Sequence, residues 1–119
     1  MKKNLFETEQ NGDVFLLCPR HNVSSLADAD LMGEMSRLCA QLAQSEVRCV
    51  VVDFSNVDYF GSLMLEALRM LWNSIPGAEG RMALCNVSPV GREILEIARF
   101  DQLWPVLGSR DEAVRAVQG

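Results

Sequence analysis

Ser62 is the residue whose type and position most favour chemistry at an exposed site. It follows a buried-type apolar run over residues 50–52 and a polar stretch from Asp53 to Gly61, and apolar residues recur at helical spacing after it. A helix N-terminus presents unpaired N–H groups and the positive end of the helix dipole. A phosphoryl group there would be tolerated by the fold and would add about −1.5 to −2 charges. The position predicts either an ordinary first-turn or capping serine or a phosphorylation switch.

Asp53 could be an acceptor of another kind, because it ends the apolar run in a chain about as long as a phospho-receiver domain. Receiver chemistry needs further acidic side chains to hold a divalent metal and, in that fold, a lysine late in the chain. No acidic pair follows the early strands, and the two lysines are Lys2 and Lys3. We therefore do not assign receiver chemistry to Asp53.

Histidine and cysteine chemistry lacks partners in this sequence. His21 is the single histidine, and no serine or cysteine stands at a spacing that defines a triad. The cysteines, at positions 18, 39, 49 and 85, form no C-x-x-C pair and have no histidine at zinc spacing. Cys49 and Cys85 fall in apolar runs, where free cysteine behaves as a small hydrophobic residue. Since no glycine-rich phosphate loop is present either, we expect a non-enzymatic protein without metal or cofactor.

The composition is that of one ordinary globular domain over residues 1–119. The formal net charge is −5 and no basic cluster exists, which disfavours nucleic-acid binding because that needs a basic face. No apolar run is long enough to span a membrane, and none follows Lys2 and Lys3 as a secretory signal would. We expect a cytoplasmic protein that inserts into no membrane.

The first two predicted strands form a hairpin. Residues 5–10 and 13–18 are extended runs on either side of Asn11 and Gly12, a dipeptide that suits a type I′ turn because both positions tolerate a positive φ. The first run alternates, which predicts an edge strand, whereas the second is apolar throughout and belongs inside the sheet.

Helices and strands alternate after the hairpin. Ser25 or Asp28 begins the first helix, Ser62 the second, Ser88 the third and Ser109 the fourth, with strands predicted over 47–53, 82–85 and 104–107. The predicted apolar faces are Leu31, Met35, Leu38 and Leu42 in the first helix, Met64, Leu68, Leu71 and Ile75 in the second, and Val90, Ile94 and Ile97 in the third. This order predicts an α/β fold: a single-layer, mixed, mostly parallel sheet with an N-terminal hairpin and about four helices. The loops after residues 18, 53 and 86 would emerge at one end of the sheet, where such folds usually bind ligands and partners.

The second helix should present a polar face beside Ser62. Its members, at i, i+4, i+7 and i+11, are Ser62, Glu66, Arg69 and Asn73. Leu63 and Met70 border that face and could supply apolar contacts to a partner. With Asp58 and Glu66 nearby, a phosphoryl group on Ser62 would make the local field strongly anionic and displace a docked partner.

Several segments resemble STAS domains, the sulphate-transporter and anti-sigma-factor-antagonist family. The sequence DFSNVDYF over residues 53–60, followed by a small residue, a serine and an apolar helix start, is similar to the family's central motif. Residues 81–89 resemble its fourth strand and following loop, 100–106 its approach to the final strand, and 110–114 its last helix. The resemblance covers the whole chain, and its specific part is the central motif.

The resemblance implies a STAS-like fold and a bacterial regulatory module that antagonises an anti-sigma factor in transcription control and signalling. In stand-alone members a partner-switching serine kinase, often also an anti-sigma factor, binds the loop and the second helix. It phosphorylates a serine or threonine at the helix start, and phosphorylation releases the module. The acceptor aligns with Ser62. The implied partner-binding residues are Asp58, Phe60, Gly61, Ser62, Leu63, Glu66 and Arg69.

The sequence departs from the family's motif on both sides of Ser62. The usual motif has an aspartate before the acceptor and Ser, Ala or Thr followed by glycine after it, whereas here Gly61 precedes and Leu63 and Met64 follow. The acidic neighbour is lost, and glycine's backbone freedom moves to the position before the serine. This favours a second interpretation, a STAS adaptor that uses the same surface constitutively in a lipid-transport or signalling assembly. A third is a small ligand-binding protein or enzyme with a pocket between the loops after residues 18, 53 and 86.

Overall fold

The computed structural model describes residues 6–20, 28–76 and 81–118. Its strands are β1 (Phe6–Asn11), β2 (Val14–Pro19), β3 (Cys49–Asp53), β4 (Arg81–Cys85) and β5 (Val106–Leu107). Its helices are α1 (Asp28–Ala43), α2 (Ser62–Asn73), α3 (Pro89–Ile97) and α4 (Arg110–Gln118), and a short 3₁₀ turn, Phe100–Gln102, precedes β5. His21 and Ser25 lie outside the described residues.

The strands form one sheet in the order β1-β2-β3-β4-β5. β1 pairs antiparallel with β2, and the other neighbours pair in parallel. β1 lies at an edge, as predicted, and every residue of it after Phe6 is exposed. The predicted α/β fold with a mixed, mostly parallel sheet and an N-terminal hairpin is confirmed.

The hairpin turn lies one residue later than predicted and is of another type. Asn11 pairs with Val14, so Gly12 and Asp13 are the two turn residues. Gly12 has a φ of +63°, whereas Asp13 keeps a negative φ. A positive φ at the first central residue alone is the type II′ pattern, in which glycine is favoured. The type I′ prediction was therefore wrong, although the hairpin itself is confirmed.

Apolar layers cover the two faces of the sheet. Right-handed crossovers place α1, α2 and α3 together on one face, and α4 packs on the other. β3 contributes to both layers, with Val50 and Val52 facing the three helices and Val51 facing α4. This double burial explains why residues 50–52 form an uninterrupted apolar run.

The predicted apolar face of α3 was wrong. Val90 is 51% exposed and Ile97 is 77% exposed, while Ile94 is half-buried. The buried residues of this helix are instead Gly91 and Leu95. The helical spacing of apolar residues predicted the helix correctly. The helix contacts the core on the neighbouring flank, which the apolar pattern did not reveal because one of its two buried residues is a glycine.

Candidate functional site

The segment over residues 54–61 leaves the carboxyl end of β3 and leads into α2. Three of its side chains, those of Phe54, Val57 and Phe60, are almost fully buried, and the rings of Phe54 and Phe60 lie 5.0 Å apart. The residues between these anchors are exposed. The segment is therefore a loop that its three buried side chains fix to the core, and its polar side chains face solvent in a defined position.

Asp53 fixes the start of this loop. Its Oδ1 accepts hydrogen bonds from the Ser55 backbone N–H (2.9 Å) and the Asn86 amide (3.0 Å), and its Oδ2 accepts one from Arg110 Nε (3.0 Å). Burial raises the pKa of Asp53, but the hydrogen bonds from Asn86, Ser55 and Arg110 together outweigh it and hold the pKa below its ordinary value. Asp53 is thus an ionised anchor between β3, β4 and α4, with both carboxylate oxygens already engaged.

Ser62 is the first residue of α2, and its side chain is exposed. The N-cap position is Gly61, so Ser62 takes the first-turn role of the two structural roles predicted for it. No side chain caps the helix, and its first turn holds no acidic residue. The positive end of the helix dipole therefore lacks a nearby carboxylate in that turn, which favours a phosphoryl group on Ser62.

Gly61 does not use the conformational freedom of glycine. Its φ of −110° and ψ of −166° are extended backbone that any residue can adopt. A Cβ added at this position would meet no heavy atom within 4 Å. The backbone before Ser62 is therefore compatible with the aspartate that the STAS motif has there.

The polar face predicted for α2 is exposed. Ser62, Glu66, Arg69 and Asn73 all reach solvent, whereas Met64, Ala67, Leu68 and Leu71 are buried. Leu63 and Met70 are half-buried and pack against the core. Among the other residues predicted for partner binding, Asp58 is exposed and Gly61 is half-buried, while Phe60 lies beneath the loop as a support. Tyr59, which the sequence interpretation missed, is 55% exposed between them.

The N-cap residue of α3 is hydrogen-bonded to the loop. Ser88 Oγ donates a 2.6 Å hydrogen bond to the Asp58 carbonyl and accepts one from the Gly91 N–H at 3.0 Å, so the predicted N-cap residue also holds the loop. A Cβ on Gly91 would lie 3.1 Å from Phe60 and 2.8 Å from Val87. Glycine thus permits α3 to approach the loop closely.

A cavity of about 430 Å³ lies between the hairpin and the start of α4. Its lining residues are Phe6, Glu7, Thr8, Glu9, Leu16, Cys18, Arg20 and Arg110. Both arginines face carboxylates, Arg20 at 3.7 Å from Glu7 and Arg110 at 2.9 Å from Asp53. The cavity includes residues at the end of β2, and two of its lining residues contact the start of the segment after β3: Arg110 binds Asp53, and Cys18 Sγ accepts a 3.6 Å hydrogen bond from Asn56 Nδ2.

The cysteines are buried side chains without disulfides. Burial raises the pKa of the Cys18 and Cys49 thiols, and burial beside the Asp53 charge raises that of Cys85 to about 12. Within the three described ranges, no three His, Cys, Asp or Glu side chains come together as a metal site. No helix in those ranges has the length and apolar character needed to cross a membrane.

Comparison with known proteins points to one family. The STAS domain family model matches residues 6–113. BtrV of Bordetella bronchiseptica, which carries the name of an anti-sigma factor antagonist, is 31% identical over 104 residues that cover 87% of each chain. A crystal structure of an anti-sigma factor antagonist from Mycobacterium paratuberculosis has a TM-score of 0.80 at 19% identity, covering 96% of this chain and 93% of its own. The Bacillus cell fate determinant SpoIIAA in its phosphorylated form has a TM-score of 0.63 at 20% identity, covering 94% and 98%. The likeness to these two structures shows a shared fold.

Proposed function

This chain belongs to the STAS domain family, and we propose that it acts as a non-enzymatic, anti-sigma factor antagonist-like module. It docks on a partner-switching serine kinase or anti-sigma factor through residues 55–62 and the exposed face of α2. Phosphorylation of Ser62 controls this docking. The names of BtrV and of the similar structures support the class of module.

The observation that carries the proposal is the placement of Ser62. The hydroxyl is exposed at the first residue of α2, directly after a loop that three buried side chains hold in place. A preorganised loop loses little conformational freedom when a partner binds it, so more of the contact energy contributes to affinity. The same exposure makes the hydroxyl accessible to the active site of a kinase.

A phosphoryl group at Ser62 would change the charge of this surface. Glu66 lies one turn further along the same exposed face of α2. An added charge of about −1.5 to −2 next to it would repel an acidic partner surface and would need to be desolvated beneath any closely docked side chain. The module would keep its fold and release the partner.

Affinity capture from a lysate of the native host tests this function. Wild-type, Ser62→Ala and Ser62→Asp baits are compared by quantitative mass spectrometry. Gln118→Asp is the matched control, because it adds the same charge at an exposed position of α4, on the other face of the sheet. We expect an ATP-binding serine kinase with wild type, Ser62→Ala and Gln118→Asp, and its loss with Ser62→Asp. Phosphopeptide mapping after incubation of that kinase with ATP then locates the modified residue. Equal capture by all four baits would refute the switch.

The second candidate function is a constitutive STAS adaptor of a larger assembly. Gly61 favours it, because it stands where the usual motif has the acidic neighbour of the acceptor. In this case the Ser62→Asp bait captures the same transporter or scaffold subunits as wild type.

A further inference from the structure

The large apolar side chains that are most exposed in the described residues gather around α3. They are Tyr59, Val90, Ile97 and Leu103. Val90 and Ile97 stand at i and i+7 with the half-buried Ile94 between them, so these three residues form one line along α3, here called the α3 strip. A line of exposed apolar side chains on a domain of this size marks an interaction surface.

The α3 strip faces the side of α2. Gly91 and Leu95 are buried and face the sheet. α3 is a right-handed helix that runs back from the carboxyl ends of the strands. The flank of α3 that carries the strip therefore faces α2. α1 and α2 approach each other closely along their backbones, whereas α2 and α3 do not. The strip is therefore left uncovered beside α2.

Contacts at both ends of α3 join the strip to the surface proposed for docking. At the start of α3, Ser88 is hydrogen-bonded to the Asp58 carbonyl of the loop. Beyond its end, the Arg69 guanidinium of α2 lies 5.4 Å from the centre of the Phe100 ring. Residues 55–62, the exposed face of α2 and the α3 strip thus form one continuous surface.

We propose that the α3 strip is the apolar half of the docking surface and binds an amphipathic segment of the same protein partner that contacts Ser62. The segment presents apolar side chains bordered by lysine or arginine. This inference rests on the proposed function, because it requires one partner to cover both α2 and α3.

Area and charge favour such a partner over a second copy of this chain. Three side chains offer far less than the roughly 800 Å² per partner of a stable interface, so the strip needs the adjoining α2 face to complete a footprint. Glu93 lies beside the strip on α3, Arg69 of α2 lies near its end, and the chain as a whole has a formal net charge of −5. A second copy would bring the same net negative charge, whereas a basic partner segment is complementary to it.

Site-specific photocrosslinking in the native host tests the inference. The photoreactive residue p-benzoylphenylalanine is placed at position 97 in one bait, at position 66 in a second and at position 118 on α4 as the control. We expect positions 66 and 97 to crosslink to the same polypeptide, position 118 not to do so, and the peptide attached at 97 to be amphipathic and rich in lysine or arginine.

Other crosslinking outcomes overturn the inference in distinguishable ways. A partner captured at 66 but not at 97, or a different polypeptide at 97, leaves the proposed function intact and refutes the role of the strip. A crosslink from 97 to another copy of this chain shows a self-association surface instead. No specific crosslink at either position refutes the inference together with the proposed function.

Binding of the crosslinked partner by purified variants gives the quantitative readout. Ile97→Asp should weaken binding by about tenfold or more, since it places a charge in an apolar contact, while Ile97→Leu should stay within about twofold of wild type. Gln118→Asp adds the same charge on the other side of the sheet and should bind as wild type does. Ile97 is 77% exposed, so its replacement leaves the fold intact. Equal affinities for Ile97→Asp and Gln118→Asp would contradict the proposal.

Discussion

Arg110, in the first turn of α4, holds the carboxylate of Asp53 at the end of β3: its Nε and Nη2 lie 3.0 Å and 2.9 Å from the same oxygen, Oδ2. The other oxygen of Asp53 accepts the backbone N–H of Ser55. The loop that leads to Ser62 therefore begins at a carboxylate that is positioned from the opposite face of the sheet. Contacts of α4 thus contribute to the geometry of this loop through Asp53.

Removal of Arg110 should destabilise the whole domain. Arg110→Ala leaves the Asp53 carboxylate, 6% exposed, buried without its charged partner. We expect a loss of about 2 kcal/mol of unfolding free energy, below the full cost of breaking a buried pair because the Arg110 side chain is 41% exposed. Urea unfolding at neutral pH measures it. Arg115→Ala, an exposed change on the same helix, should cost about 0.5 kcal/mol or less, and an equal effect of the two would contradict the anchoring role.

Acid should remove the contribution of Asp53. Because the folded pKa of Asp53 lies below that of an unfolded aspartate, about 3.9, its stabilisation is present above the unfolded pKa and is lost as the pH falls through the folded pKa. The difference in unfolding free energy between wild type and Asp53→Asn should be largest above about pH 5 and shrink toward about pH 2. Urea unfolding across this range checks it. If the difference in unfolding free energy between the two proteins did not change with pH, the pKa of Asp53 would be the same in the folded and the unfolded chain.

The cysteines should be inert in the folded protein. All four thiols are buried, and burial raises the pKa of Cys18, Cys49 and Cys85, so little reactive thiolate is available. We expect iodoacetamide at about pH 8 to label none of them rapidly without denaturant and all of them in urea, as intact mass shows. Rapid labelling of one cysteine in the native protein would identify a site that opens locally.

The sequence predicted elements better than long-range contacts. The hairpin, the alternating helices and strands, and the caps at Ser88 and Ser109 follow from local residue chemistry, and the structure has them. The bonds from Arg110 and Asn86 to Asp53 span 57 and 33 residues, so no local pattern could reveal them.

The α3 helix shows why a face can be mispredicted while its helix is predicted correctly. Its apolar residues at helical spacing were taken as the buried face, yet Val90 and Ile97 are exposed. The decisive contact is the approach of Gly91 to the Phe60 ring, and a glycine adds nothing to an apolar pattern. The exposed flank belongs to the surface proposed here for partner binding, where apolar residues serve a partner rather than the core.

An aspartate at position 61 should stabilise α2 and favour phosphorylation. Gly61 has extended backbone with space for a Cβ, so Gly61→Asp can accept a hydrogen bond from the first turn and oppose the helix dipole without strain. Compared with Gly61→Ala, which has a Cβ but no cap, we expect about 1 kcal/mol more unfolding free energy. Because the usual STAS motif has an aspartate at this position, a partner kinase that recognises that motif should also modify Ser62 faster in Gly61→Asp. Equal stabilities of the two variants would exclude capping at this position.

Gly91→Ala should weaken both the fold and the docking loop. Its Cβ would lie 2.8 Å from Val87 Cγ1 and 3.1 Å from Phe60 Cε2, so the side chain that supports the loop has to move. Overpacking of this kind costs about 1–3 kcal/mol, which exceeds the gain of up to about 1 kcal/mol from replacing a helical glycine by alanine. Gly33→Ala in α1 is the matched control, because its Cβ meets nothing within 4 Å and the exchange should stabilise by about 0.5–1 kcal/mol. Urea unfolding should therefore move in opposite directions for the two variants, and partner affinity should fall for Gly91→Ala alone. A shift in the same direction for both would refute the close contact between α3 and the loop.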